Sequence, residues 1–129
     1  MRERTRDERG MEPLYRPTVP AVPDTDLARI RKFCEDQTPA EFRDQMRVEA
    51  DVRGRSVTIL ECRPPWPPEL VEWSRQPLAQ MRFDPDTNLW SLYWADRNSR
   101  WHRYDDLEPG PVGDLLDEIA ADPTCIFWG

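Results

Sequence analysis

The sharpest alternation of apolar and polar positions lies between Asn88 and Tyr104, where two aromatic-rich runs flank Asp96-Arg97-Asn98-Ser99. Side chains of that kind cap their own backbone, and Asn98 tolerates left-handed dihedrals, so the stretch predicts a β-hairpin with a four-residue loop. The register sets Ala95 against Arg100, Trp94 against Trp101, Tyr93 against His102, Leu92 against Arg103 and Ser91 against Tyr104. Trp90, Leu92, Trp94 and Trp101 then share a face that must be covered. Ser91, Tyr93, Arg100, His102 and Tyr104 share the other.

The remaining pattern supplies the elements around this hairpin. Leu27, Ile30, Phe33 and Cys34 fall at helical spacing within Asp24 to Gln37, with Asp24 and Asp26 placed to suit the helix dipole. Thr38-Pro39-Ala40-Glu41 reads as a capping box opening a second short helix to about Gln45, with Phe42 and Met46 inward. From Arg47 the period becomes two, and a turn at Gly54-Arg55 pairs Val52 with Val57, Ala50 with Ile59 and Val48 with Glu61. That puts a carboxylate on the apolar side, where Arg103 is the predicted ion-pair partner of Glu61. Pro77 to Phe83 predicts another strand, and a loop at Asp84-Pro85-Asp86-Thr87 puts Ala79 and Met81 on the face of Trp90 and Leu92. Pro64-Pro65-Trp66-Pro67-Pro68 lacks the N–H groups a sheet interior needs and reads as a polyproline-like connector. Val112, Leu115, Leu116 and Ile119 predict a helix closed by Pro123, and the apolar segment Thr124 to Gly129 should dock on the sheet.

The fold class expected is therefore α+β. An antiparallel β-meander of about five strands would carry N-terminal helices and a C-terminal helix packed on one face. At 129 residues there is room for one core. Residues 1–23 alternate Arg with acids and then carry four prolines, too little apolar surface to offset ordering, so they read as a flexible arm before a single domain over 24–129.

Charge and cysteine content narrow the classes. The net charge of −7 opposes nucleic-acid or membrane binding through the whole surface. Its distribution matters more: Asp105 to Gly129 holds no Lys or Arg, whereas Arg97, Arg100 and Arg103 cluster at the hairpin. Cys34, Cys62 and Cys125 are isolated, which argues against a disulfide framework and, lacking paired spacing, against a zinc site with His102. Neither a membrane-spanning run nor a signal segment is evident, so a cytoplasmic protein without a cofactor is expected.

Three segments carry a resemblance: Glu61-Cys62-Arg63-Pro64-Pro65-Trp66, Leu92 through Asp105, and Asp122-Pro123-Thr124-Cys125-Ile126-Phe127-Trp128-Gly129. They resemble the bacterial family catalogued as domain of unknown function 3024, over roughly residues 24 to 129. The resemblance implies membership and that these segments define the fold. It implies no reaction, ligand or catalytic residue.

Function is read from the hairpin. Tyr93, His102 and Tyr104, rimmed by Arg97 and Arg100, form a candidate aromatic and cationic platform for a planar ligand such as single-stranded nucleic acid. The expectation is a non-catalytic binding or protein-interaction domain, its partner unknown. The Arg-rich arm, the proline loop and the acidic C-terminal helix offer contact surfaces for a protein. The alternative is a metal-dependent hydrolase or nuclease-like enzyme using Glu61 and His102, with Glu49, Asp51 and Arg63 nearby and Asp105 or Glu61 orienting His102. Glu49 and Asp51 project away from Glu61 in the register above, which weakens that reading.

Overall fold

The computed structural model describes residues 21–65, 69 and 71–128. Most of the N-terminal arm and the Trp66-Pro67-Pro68 part of the proline segment lie outside the described residues. Helix α1 spans Asp24–Asp36 and helix α2 spans Val112–Ala121. Between them run strands β1 (Arg47–Arg53), β2 (Ser56–Arg63), β3 (Ser74–Asp84), β4 (Leu89–Ala95) and β5 (Trp101–Arg103). The strands form one five-stranded antiparallel sheet in sequence order, a meander. Short turns join three of the four strand pairs, and the proline-rich segment 64–73 joins β2 to β3.

Both helices cover the same face of the sheet. Leu27, Ile30 and Cys34 make the buried stripe of α1, and Val112, Leu115, Leu116 and Ile119 that of α2. Beneath them lie Val57, Ile59, Met81, Trp90 and Leu92, each almost wholly removed from water. Burial of side chains this size contributes about 1.5–3 kcal/mol apiece, so this layer dominates the stability of the domain. Two polar ties fix the helices over the sheet. The indole N–H of Trp90 donates to Asp26 of α1 at 2.9 Å, and the Tyr104 hydroxyl donates to Glu118 of α2 at 2.7 Å.

The C-terminal segment closes one end. Asp122 adopts a left-handed conformation at φ 44°, ending α2. One of its carboxylate oxygens accepts the backbone N–H groups of Ile126 and Phe127, and the other accepts that of Trp128. Phe127 thereby reaches the ring of Tyr104, 5.2 Å between centroids, and the Trp128 indole donates to the Ile119 carbonyl. Docking of the terminal apolar residues follows the expectation from their hydropathy.

The β1–β2 register is the expected one, Val52 with Val57, Ala50 with Ile59 and Val48 with Glu61. In β3 an extra residue, Leu78, interrupts the pairing with β2, so consecutive residues Leu78 and Ala79 are both buried. The second helix is smaller than expected: only a 3₁₀ turn at Ala40–Phe42 forms, without a side-chain cap. Thr38 is buried with its hydroxyl unpartnered instead of capping the turn, and Phe42 is exposed rather than inward, while Met46 packs partly buried against the core.

Candidate functional site

The decisive local feature is the β4–β5 loop. It contains five residues, Asp96 to Arg100, rather than four, because Asp96 pairs its own N–H with the Arg100 carbonyl while its carboxylate accepts the N–H groups of Asn98 and Arg100. Ser99 takes the left-handed conformation, φ 63°, that lets the chain return. Observed partners are therefore Ala95 with Trp101, Trp94 with His102 and Tyr93 with Arg103. A slip of one residue turns every side chain of a strand to the other side.

The expected platform is accordingly redistributed. Tyr104 lies in the core, its N–H donating to the Leu92 carbonyl. Burial and the hydrogen bond to Glu118 push its phenol pKa up. His102 joins the helix-covered side, where its ring stacks on Trp94 at 4.7 Å and its Nε2 lies 2.7 Å from Asp96. That hydrogen bond and the backbone donors of the loop hold the Asp96 carboxyl down at about 2. Arg97 and Arg100 stand exposed in the loop. Of the five expected platform residues only Tyr93 lies in a strand and faces the side away from α1 and α2. Trp101, expected inside, and Arg103, expected beside Glu61, turn to that same side.

The Glu61–Arg103 ion pair does not form. Three strand spacings of about 4.8 Å separate β2 from β5, and the slip moves Arg103 to the opposite face. Glu61 instead pairs with Arg63 two residues along its own strand, and that guanidinium also reaches the Met46 sulfur. The same separation keeps Glu61 away from His102. Among the described residues no group of three or more His, Cys, Asp or Glu converges in a way that could hold a metal ion. Cys34 and Cys62 are buried and Cys125 is exposed.

Neither helix covers the other face among the described residues, and the strand pairing builds a row across it. Asp51, Thr58, Gln80, Tyr93 and Arg103 are successive cross-strand partners through all five strands. The Gln80 amide donates to the Thr58 hydroxyl at 2.9 Å, and Arg82 Nε donates to the Gln80 carbonyl oxygen at 2.7 Å. This anchors the Arg82 guanidinium over the Tyr93 ring, 3.8 Å from its centroid, a cation–π contact. Trp101, paired with Ala95, lies diagonal to Tyr93 on the same face, and Arg103 stands opposite Tyr93 and next to Trp101 along β5. The Nε of Arg103 is buried without a hydrogen-bond partner. Farther along, Arg47 stacks on Trp73 at 4.1 Å and Arg75 pairs with Glu49 at 3.4 Å.

The outcome is a surface on which Arg82, Tyr93, Arg103 and Trp101 alternate guanidinium with ring. Among the described residues neither Arg82 nor Arg103 has a carboxylate within salt-bridge distance. Sequence reasoning missed Arg82 and assigned Trp101 and Arg103 to the interior. The available signal was the pair Asp96 and Asn98, since an Asp whose carboxylate can reach N–H groups two and four residues ahead favours the longer loop.

A family model described as "Domain of unknown function (DUF3024)" matches residues 19–129. No curated protein matches the chain, and no solved structure does. No described helix is long and apolar enough to cross a membrane.

Proposed function

Because the chain belongs to DUF3024, a family described only as a domain of unknown function, its role must come from its own surfaces, and we propose a non-catalytic binding module whose contact surface is the helix-free face. The observation that carries this reading is the Arg82–Tyr93–Arg103–Trp101 cluster. A buried guanidinium N–H with no acceptor costs about 1–3 kcal/mol, a cost that a ligand oxygen would offset. Guanidinium planes and aromatic rings side by side suit a planar, anionic ligand. Arg97 and Arg100, at the tip of the hairpin that bears Tyr93 and Trp101, extend the surface.

His102 has a different part in this reading. Its bond to Asp96, with the Trp94 stack, holds the loop in which Arg97 and Arg100 sit. The metal-dependent alternative draws no support from Glu61, which is engaged by Arg63 and lies two intervening strands from His102.

Adenosine monophosphate, a planar ring bearing a phosphate, is a direct probe. Titrated into isotopically labelled protein at low salt, it should shift the amide resonances of Gln80, Arg82, Tyr93, Trp101 and Arg103 in a saturable way. Shifts confined to the helices, or none at millimolar concentration, would reject the surface.

A further inference from the structure

Resting on that reading, we infer that the ligand of the helix-free face is single-stranded nucleic acid, laid across the strands with a base on Trp101 and phosphates at Arg82, Arg103, Arg97 and Arg100. Geometry, stacking chemistry and charge each bear on this choice.

From Arg82 on β3 to Arg103 on β5 is two strand spacings, roughly 10 Å, and from Arg103 back along the chain to Arg100 at about 3.3 Å per residue is roughly 10 Å more. That is more than a mononucleotide covers and suits a site of about four nucleotides, the lower end for sheet-based single-strand binders. Stacking needs an exposed base face, which a duplex hides within its own stack. Tyr93 already has Arg82 over its ring, so Trp101 is the platform for a base while Arg82 presents its outer plane.

Charge decides the orientation. Among the described residues, Arg82, Arg97, Arg100 and Arg103 have no carboxylate within salt-bridge distance, although the chain carries a net charge of −7. The acids of the C-terminal quarter belong largely to α2 and its flanks, on the helix-covered side; Asp114 and Asp117 are exposed there. A polyanion is therefore repelled by α2 and its flanks; on the opposite face the acids of β1, Asp51 and Glu49, are paired with Arg53 and Arg75, and the arginines of β3, β5 and the hairpin loop are left to receive it. An acidic chain without rings, such as polyglutamate, would satisfy the arginines but offers nothing to stack on Trp101, whereas a nucleic-acid strand supplies phosphate and base together.

The test is fluorescence anisotropy of a labelled 12-residue thymidine strand with the full chain, alongside a duplex of equal length and polyglutamate. With four phosphates neutralised, the slope of log K against log salt is about −2.8, so affinity falls about 50-fold between 50 and 200 mM salt. Trp101→Ala should weaken binding about tenfold or more, while Trp101→Phe, which keeps an aromatic platform, retains most of it. Arg103→Ala should reduce the slope by about 0.7. Circular dichroism establishes that each variant is folded. Binding of polyglutamate as tight as that of the thymidine strand, or no loss in Trp101→Ala, overturns the inference. If adenosine monophosphate shifts the face but the strand does not bind, the surface is a small-ligand site and only this inference fails; if neither binds, the proposed contact surface fails with it.

Discussion

Asp122 is the residue whose removal should cost the fold most for the fewest atoms. Its carboxylate accepts three backbone N–H groups at 2.9–3.1 Å, those of Ile126, Phe127 and Trp128. A hydrogen bond to a charged group contributes about 1.5–3 kcal/mol, so three would sum to roughly 4–9 kcal/mol if the segment stayed in place after the change. It can leave instead. The loss is then limited to what docking contributes: burial of Phe127 at about 2–3 kcal/mol and the Trp128 indole bond at about 1, reduced by the chain entropy regained. We expect Asp122→Ala to lose about 2–4 kcal/mol, including about 1 for placing alanine at φ 44°. Asp122→Asn separates the contributions, since asparagine tolerates this backbone and keeps one acceptor oxygen for Ile126 and Phe127. Its amide N–H₂ then opposes the Trp128 N–H, and about 1–2 kcal/mol should go. Urea unfolding followed by tryptophan fluorescence gives the stability change, and amide exchange at Phe127 and Trp128 reports undocking. A loss under about 0.5 kcal/mol in Asp122→Ala, with those two amides still protected, would refute the reasoning.

Acid stability offers a second check. The carboxyl of Asp96 is held at about 2, below its ordinary 3.8, first by His102 and then by the N–H of Arg100. A depressed carboxyl stabilises the fold above its unfolded value and loses that contribution as pH falls from near 3.8 through 2. Asp96→Asn should therefore show a shallower decline in stability between pH 5 and pH 2 than the parent; an unchanged decline would count against the bond to His102. Thiol reactivity is a third. Burial, with Glu35 and Glu49 nearby, pushes Cys34 up to about 12, and burial raises Cys62 as well, whereas Cys125 is exposed. Iodoacetamide at pH 8 should label Cys125 alone in the folded chain, and mass spectrometry showing Cys34 or Cys62 modified at a comparable rate would contradict their burial.

Much of the architecture was legible because it depends on local periodicity. The apolar stripes of both helices, the five-strand meander and the β1–β2 register all follow from spacing and from Gly54, whose φ of 56° suits the turn it occupies. In the β3–β4 hairpin the faces were right but the pairing differs. Phe83 opposes Trp90 and Met81 opposes Leu92, because the four-residue loop sits one position later, at Pro85–Asn88, with Asn88 at φ 61° closing it. A shift of two preserves which side each residue faces, so nothing in the core changed.

What the chain determines by itself is the set of amphipathic elements, because period 2 and period 3.6 are properties of neighbouring residues. Which residues of β5 meet the outside is decided only in three dimensions. Trp101, His102, Arg103 and Tyr104 alternate in a way that either register satisfies, with an aromatic residue on each side and a polar one beside it. The carboxylate of Asp96 breaks the tie by enlarging the loop by one residue. Tyr104 then meets Glu118 and Phe127 inside, while Trp101 and Arg103 join Tyr93 and Arg82 on the face away from α1 and α2.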